Sequence, residues 1–239
     1  MAAAPKPAPV YGVTAAAEGF ALQCNGRNMK TPVGADYLLP TQALAAAAIN
    51  EWQAQGDKID PASMPLMQLA ATALDIVEKN RGATIDRLMA FVDSELTCHR
   101  AAEPDALVQR QHKIWQPLLN WCLQKFGARF ENGAGIMPVR QSAETARALR
   151  GFLERQNSFY LSGLAHTADM AGSLVIALAL AENHVTPAQA FEAAELDALF
   201  QMEKWGEDPV VTKRHETIGS ELALCHEWFG LLPKDGKNH

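Results

Sequence analysis

The stretch Tyr160–Ala181, YLSGLAHTADMAGSLVIALALA, is apolar enough to raise the question of a membrane span. His166 and Asp169 interrupt it, leaving about a dozen uninterrupted weakly polar residues where a span needs roughly 20. It therefore reads as one buried helix. Gly163, Ala168, Ala171 and Gly172 are small enough to let neighbouring helices approach closely, which suits the central member of a bundle.

Toward the C-terminus, Thr186-Pro187-Ala188-Gln189 spells a capping box with proline at the first helical position, opening a helix that runs to Gly206. Asp208-Pro209 then reads as the N-cap and first turn of a last helix. In that helix Val211, His215, Ile218, Leu222, Cys225 and Phe229 alternate steps of four and three. Toward the N-terminus, Ser142 starts a polar helix, Gly133 to Pro138 reads as a linker, and Pro104 opens a long helix carrying Leu107, Gln111, Trp115, Leu118 and Cys122. Ile85, Leu88, Met89, Val92 and Leu96 mark another. Leu66, Leu69, Ala73 and Ile76 follow Pro65, and Thr41 caps a helix with Leu44, Ala48 and Trp52 on one face.

Only the first part reads as strand: Val10–Thr14, Phe20–Cys24 and Arg27–Thr31, with Asn25-Gly26 between the last two as a hairpin signal. The expected class is α+β, a small β-rich N-terminal domain over residues 10–80 followed by an all-helical domain over 81–232. Loose tails are expected at 1–9 and 233–239.

A 48% hydrophobic and 20% charged composition is that of a soluble globular chain, and a net charge of −6 argues against nucleic-acid and anionic-membrane surfaces. Cys24, Cys98, Cys122 and Cys225 are scattered without a Cys-x-x-Cys pair, so they are expected to be buried free thiols in a reducing compartment. The N-terminal alanines and prolines lack both an apolar core and the arginines of a presequence. Residence in the cytoplasm is expected, or in the mitochondrial matrix for a processed eukaryotic chain.

Glu203 breaks the local pattern. Leu196, Leu199 and Phe200 form an apolar stripe, and Glu203 falls where its next member should stand, in the last turn before Gly206, where the helix dipole disfavours an anion. Such a residue is a candidate for function, with Trp205 beside it; pairing to Lys204, Arg214 or a buried amide is the structural alternative. A catalytic reading has less to stand on. His166 and Asp169 lie one turn apart and are able to share a proton or a metal, but two ligands do not make a site. Cys98-His99 and Cys225-His226 are adjacent and point apart on a helix. Neither a phosphate-binding glycine loop, nor a Gly-x-Ser-x-Gly elbow, nor His-Glu-x-x-His is present.

Four blocks carry a family resemblance. They are Gly19-Phe20 with Asn25-Gly26-Arg27 and Lys30-Thr31-Pro32; Pro40-Thr41 through Glu51-Trp52, Gln55, Ile59-Asp60-Pro61, Met64-Pro65-Leu66 and Ala73-Leu74-Asp75; Asp93 to Arg100 with Glu103-Pro104; and Glu203 with Trp205-Gly206. In order and spacing the chain resembles the assembly chaperones for the α subunit of the F-type ATP synthase catalytic head, found in mitochondria and alpha-proteobacteria. It departs from them at His99, where tyrosine is common, and in the run Ser94-Glu95-Leu96-Thr97-Cys98.

The resemblance implies a small α+β domain joined to a helical one and a non-enzymatic, monomeric chaperone without cofactor. Its expected partner is the unassembled α subunit, with no nucleic acid and no membrane insertion. By the same resemblance the client contacts are Glu203, Trp205, Gly206, Arg100, Asp93 and Trp52, with Glu203 the charge, Trp205 the anchor, and Trp52 and Arg100 shaping the surface from behind. The other reading is a helical ligand- or metal-binding enzyme domain built on His166 and Asp169.

Overall fold

A computed structural model describes residues 8–135, 139–206 and 208–234; most of the expected tails and the end of the expected linker lie outside the described residues. Strands β1 (Tyr11–Ala16), β2 (Gly19–Cys24), β3 (Arg27–Asn28) and β4 (Leu38–Leu39) form an antiparallel sheet in which β2 pairs with all three others. The β2–β3 turn is the expected Asn-Gly one, with φ of 51° at Asn25 and 74° at Gly26.

Helix α1 (Gln42–Gln53) begins where Thr41 accepts the Leu44 amide at 3.1 Å, and it buries Leu44, Ala45, Ala48 and Ile49 under the sheet. Helix α2 (Pro65–Thr72) starts with no cap of its own; the Glu51 carboxylate accepts the amides of Leu66 and Met67 at 2.9 Å each. It runs on into a π-helical turn, Ala73–Val77. The wider turn shifts the stripe, so Ile76, expected inside, is 55% exposed and Val77 is buried in its place.

The remaining helices are α3 (Arg81–Asp93), α4 (Asp105–Phe126), α5 (Ala143–Leu153), α6 (Ser158–Ala171), α7 (Leu174–Ala181), α8 (Pro187–Ala194), α9 (Leu196–Trp205) and α10 (Pro209–Leu231). None is long and apolar enough to cross a membrane. The single helix expected over Tyr160–Ala181 is two. Gly172 ends α6 at φ 63°, and the Ser173 side chain caps α7 by accepting the Ile176 amide at 3.0 Å. Every residue of α7 from Leu174 to Leu180 is buried.

The helix expected from Thr186 to Gly206 is also two. The capping box forms as read, but the chain bends at Glu195, whose buried carboxylate takes both Arg214 nitrogens at 2.8 Å and His215 Nε2 at 3.1 Å. Strand β5 (His99–Arg100) pairs in parallel with β6 (Gly133–Ala134), inside what reads in sequence as helix and linker; a two-residue strand carries no alternation to detect. Of the four thiols Cys98, Cys122 and Cys225 are buried, and burial pushes Cys98 and Cys225 each up to about 12; Cys24 is only half-buried.

One apolar cluster fills the helical part. A second joins β2, α1 and α2 and is completed from far along the chain by Phe159, Trp228 and Leu232. The closest approach in this seam is at Gly163 of α6, where a Cβ would stand 2.5 Å from Cδ1 of Trp228 on α10. That indole is fully buried and donates to the Phe159 carbonyl at 3.1 Å, so it has no room to yield. Gly163→Ala should therefore lower stability by about 1–3 kcal/mol, read as a shift of the urea midpoint at unchanged slope. A midpoint equal to wild type would show that the two helices slide apart freely.

Candidate functional site

Helix α9 is lightly held. Leu196 and Phe200 are its buried residues, and it packs on α8 and α4. The stripe does not continue to Glu203 as the spacing predicts: Leu199 is half-buried and Glu203 exposed, because the helix has by then run past the core. Glu203 is thus not a buried acid. It does lie in the last turn, and its Oε1 meets Nη1 of Arg110 on α4 at 2.8 Å, whereas Arg214, one partner weighed from sequence, serves Glu195. Lys204 folds back over the Phe200 ring at 4.5 Å.

Gly206 ends the helix with φ 92°, a backbone conformation that glycine alone adopts without strain, and its amide donates to the Met202 carbonyl at 3.0 Å. Two residues on, Asp208 caps α10 through the Val210 amide at 2.8 Å. The turn between α9 and α10 is therefore tied on both sides, and it presents two large apolar residues to water. Trp205 and Val210 are each 77% exposed, the most of any large apolar residues described.

Arg100 is linked through Gln111 to the first turn of α9, at the other end of the helix from Glu203 and Trp205. Its Nη1 donates to the Gln111 carbonyl at 2.7 Å and its guanidinium sits 5.2 Å over the Trp115 ring. Its Nε and Nη2 are buried without a partner among the described residues, and burial draws its pKa down. Gln111 carries the connection onward: its Oε1 accepts the Ala101 amide and its Nε2 donates to Asp197 of α9, each at 2.8 Å. The Trp115 indole donates to the Ala193 carbonyl at 2.8 Å.

Two more of the expected contacts sit elsewhere. Asp93 ends α3, which packs on α5, α6 and α7, and it borders a shallow cavity of about 270 Å³ with Arg147 and Arg150. Trp52 belongs to α1 and packs at 5.7 Å, tilted by 34°, against Tyr11 of β1, with its indole nitrogen buried and unpartnered among the described residues. Glu203, Trp205 and Gly206 share the end of α9, where Arg110 pairs with Glu203 and Val210 stands in the first turn of α10; Arg100 is not brought to them and belongs with the first turn of α9. Sequence reasoning missed Arg110 and Val210. Arg110 adjoins Gln111, itself part of the α4 stripe, and that adjacency was the available signal.

The His166 and Asp169 pairing does not form. His166 Nε2 lies 2.7 Å from Glu221 Oε2 on α10, while Asp169 binds Arg87 on α3. Among the described residues no group of three or more His, Cys, Asp and Glu side chains could hold a metal ion. A cavity of about 690 Å³ is lined by Tyr160, Glu182 and Lys125 among others; there the phenol donates to Glu182 Oε1 at 2.8 Å and Lys125 reaches Oε2 at 3.0 Å. Burial and then the Glu182 charge push the phenol well above its ordinary pKa, so it is no ready base or nucleophile.

Residues 10–123 match the family described as ATP12 chaperone protein. The protein atp12, mitochondrial, of Schizosaccharomyces pombe is 23% identical over 197 residues, covering 77% of this chain and 68% of its own. Atp12 from Paracoccus denitrificans is 29% identical with a TM-score of 0.89, covering 93% of this chain and 96% of that one. The Atu1473 protein of Agrobacterium tumefaciens is 31% identical with a TM-score of 0.87, covering 93% and 84%.

The geometry separates presenting residues from supporting ones. Trp205→Ala and Glu203→Ala should each change stability by less than about 1 kcal/mol, since one side chain is mostly in water and the other forms a solvent-exposed pair. Gln111→Ala strands the Ala101 amide and the Asp197 carboxylate and should cost about 2–3 kcal/mol. Thermal melts distinguish the two, a kilocalorie being worth roughly 2–4 °C in a chain of this size.

Proposed function

The chain belongs to the ATP12 chaperone family, and from that premise we propose that it binds the unassembled α subunit of the F-type ATP synthase catalytic head. It covers surface that later faces the β subunit and so prevents aggregation, without catalysis, nucleotide or metal. An unassembled subunit exposes an interface with an apolar centre and a few charges that fix register. A competing surface needs a rigid aromatic anchor and a matching charge.

The observation that carries this reading is the α9–α10 turn. Trp205 stands 77% exposed at a glycine-terminated helix end, with Glu203 two residues before it and Val210, equally exposed, across the turn. Trp205 is the anchor and Glu203 the charge; Gly206 ends the helix, and Arg100, through Gln111, holds it at its first turn. Asp93 and Trp52, on other elements, lie outside this contact. Such a protein works as a monomer in the mitochondrial matrix or the bacterial cytoplasm, where its client is made or delivered.

Denatured α subunit diluted into buffer with this protein supplies the test, with light scattering as readout. Glu203→Lys should abolish the suppression of aggregation while stability stays within about 1 kcal/mol of wild type, and Trp205→Ala should weaken suppression at least tenfold in required concentration. Full protection by Glu203→Lys would refute the assignment of the surface. Equal protection of an unrelated aggregating protein by the wild type would refute the client.

A further inference from the structure

Glu203 already holds a cation. Arg110 meets it through one oxygen, and no second partner for the carboxylate stands among the described residues. The carboxylate side of the pair is open to solvent, Glu203 being 58% exposed and Arg110 29%, and a pair open to water in this way contributes modestly. A cation arriving from outside thus replaces Arg110 at a modest cost. Trp205, two residues on and 77% exposed, points to a different side of the helix and offers a separate apolar contact for the same incoming chain.

We propose that Arg110 is a placeholder, which occupies the Glu203 carboxylate in the free protein and is displaced by an arginine or lysine of the client. The client presents this basic side chain together with an apolar residue that covers Trp205. The inference rests on the reading of Glu203 as a client contact and adds to it the chemistry of the partner group. Arg110 then opposes binding twice, by competing for the carboxylate and by repelling the incoming charge. Its benefit lies in the empty state, where it neutralises an acid at the unfavourable end of a helix dipole.

The same aggregation assay decides this, read as the concentration of chaperone giving half-protection of denatured α subunit. Arg110→Gln should lower that concentration by up to about fivefold at low salt, with the advantage shrinking as salt screens both charges. Glu203→Gln should raise it, and adding Arg110→Gln to Glu203→Gln should bring little of the gain, there being no carboxylate to release. Thermal melts confirm that each variant is folded; should Arg110→Gln melt early, Arg110→Lys, which keeps the charge but loses the planar fork, provides the comparison by a smaller shift in the same direction. Weaker or unaltered protection by Arg110→Gln, alongside weaker protection by Glu203→Gln, overturns the placeholder and leaves the client surface standing. Unaltered protection by Glu203→Gln overturns both.

Discussion

The helical part of this protein depends on one buried carboxylate. Helix α7 is apolar all round and enclosed on every side, so its first amides lie where no water can satisfy them. Glu95, 1% exposed, supplies the acceptors: Oε2 takes the amides of Leu174 and Val175 at 3.0 and 3.2 Å, while Oε1 takes the Ser173 hydroxyl and the amide and hydroxyl of Thr97. Burial pushes this carboxyl above its usual range, against the pull of the donors around it. Desolvating an ion costs several kcal/mol, and it is tolerated here because both oxygens are engaged by donors and face the positive end of a helix.

The same device recurs wherever two segments distant in sequence must be joined. Glu51 caps α2 from α1; Asp75, in the π-helical turn, accepts the Thr31 hydroxyl at 2.7 Å and the Val33 amide at 3.3 Å; Glu195 gathers Arg214 and His215 at the α8–α9 bend. Each acid is paired with donors that only the folded chain brings near. Thr31, Glu51 and Asp75 fall within the blocks that carry the family resemblance, whereas Glu95 stands in the run where the chain departs from it. Part of that resemblance is therefore written in internal fastenings, which preserve a fold.

This explains what was legible in the sequence and what was not. Asn25-Gly26, Thr41 and the Thr186 capping box act within a few residues, and the α10 seam of His215, Ile218, Leu222 and Cys225 repeats along one helix, so local pattern revealed them all. The breaks at Gly172 and Glu195 could not be read that way. An apolar run continues past Gly172 with no proline or charge, and the partner that stabilises the break, Glu95, stands about 80 residues earlier. At Glu203 the error was geometric: periodicity describes the face of a helix, but not how far the core extends along it. Leu196 and Phe200 face a core; one turn later the same face looks into water.

That loss of cover is what the proposed client contact at the end of α9 relies on. A surface meant to compete for a subunit interface must expose apolar area, yet remain ordered enough to avoid a large entropic loss on binding. Packing cannot supply the order without hiding the tryptophan. Here it comes from polar ties: Gln111 to Asp197 in the first turn of the helix, Arg110 to Glu203 near its end, and the opposed caps at Gly206 and Asp208. The inner tie is half-buried and joined through Gln111 to Arg100, so it positions α9. The outer one is open to water and weak enough to exchange, so a rigid base carries a replaceable contact at its tip.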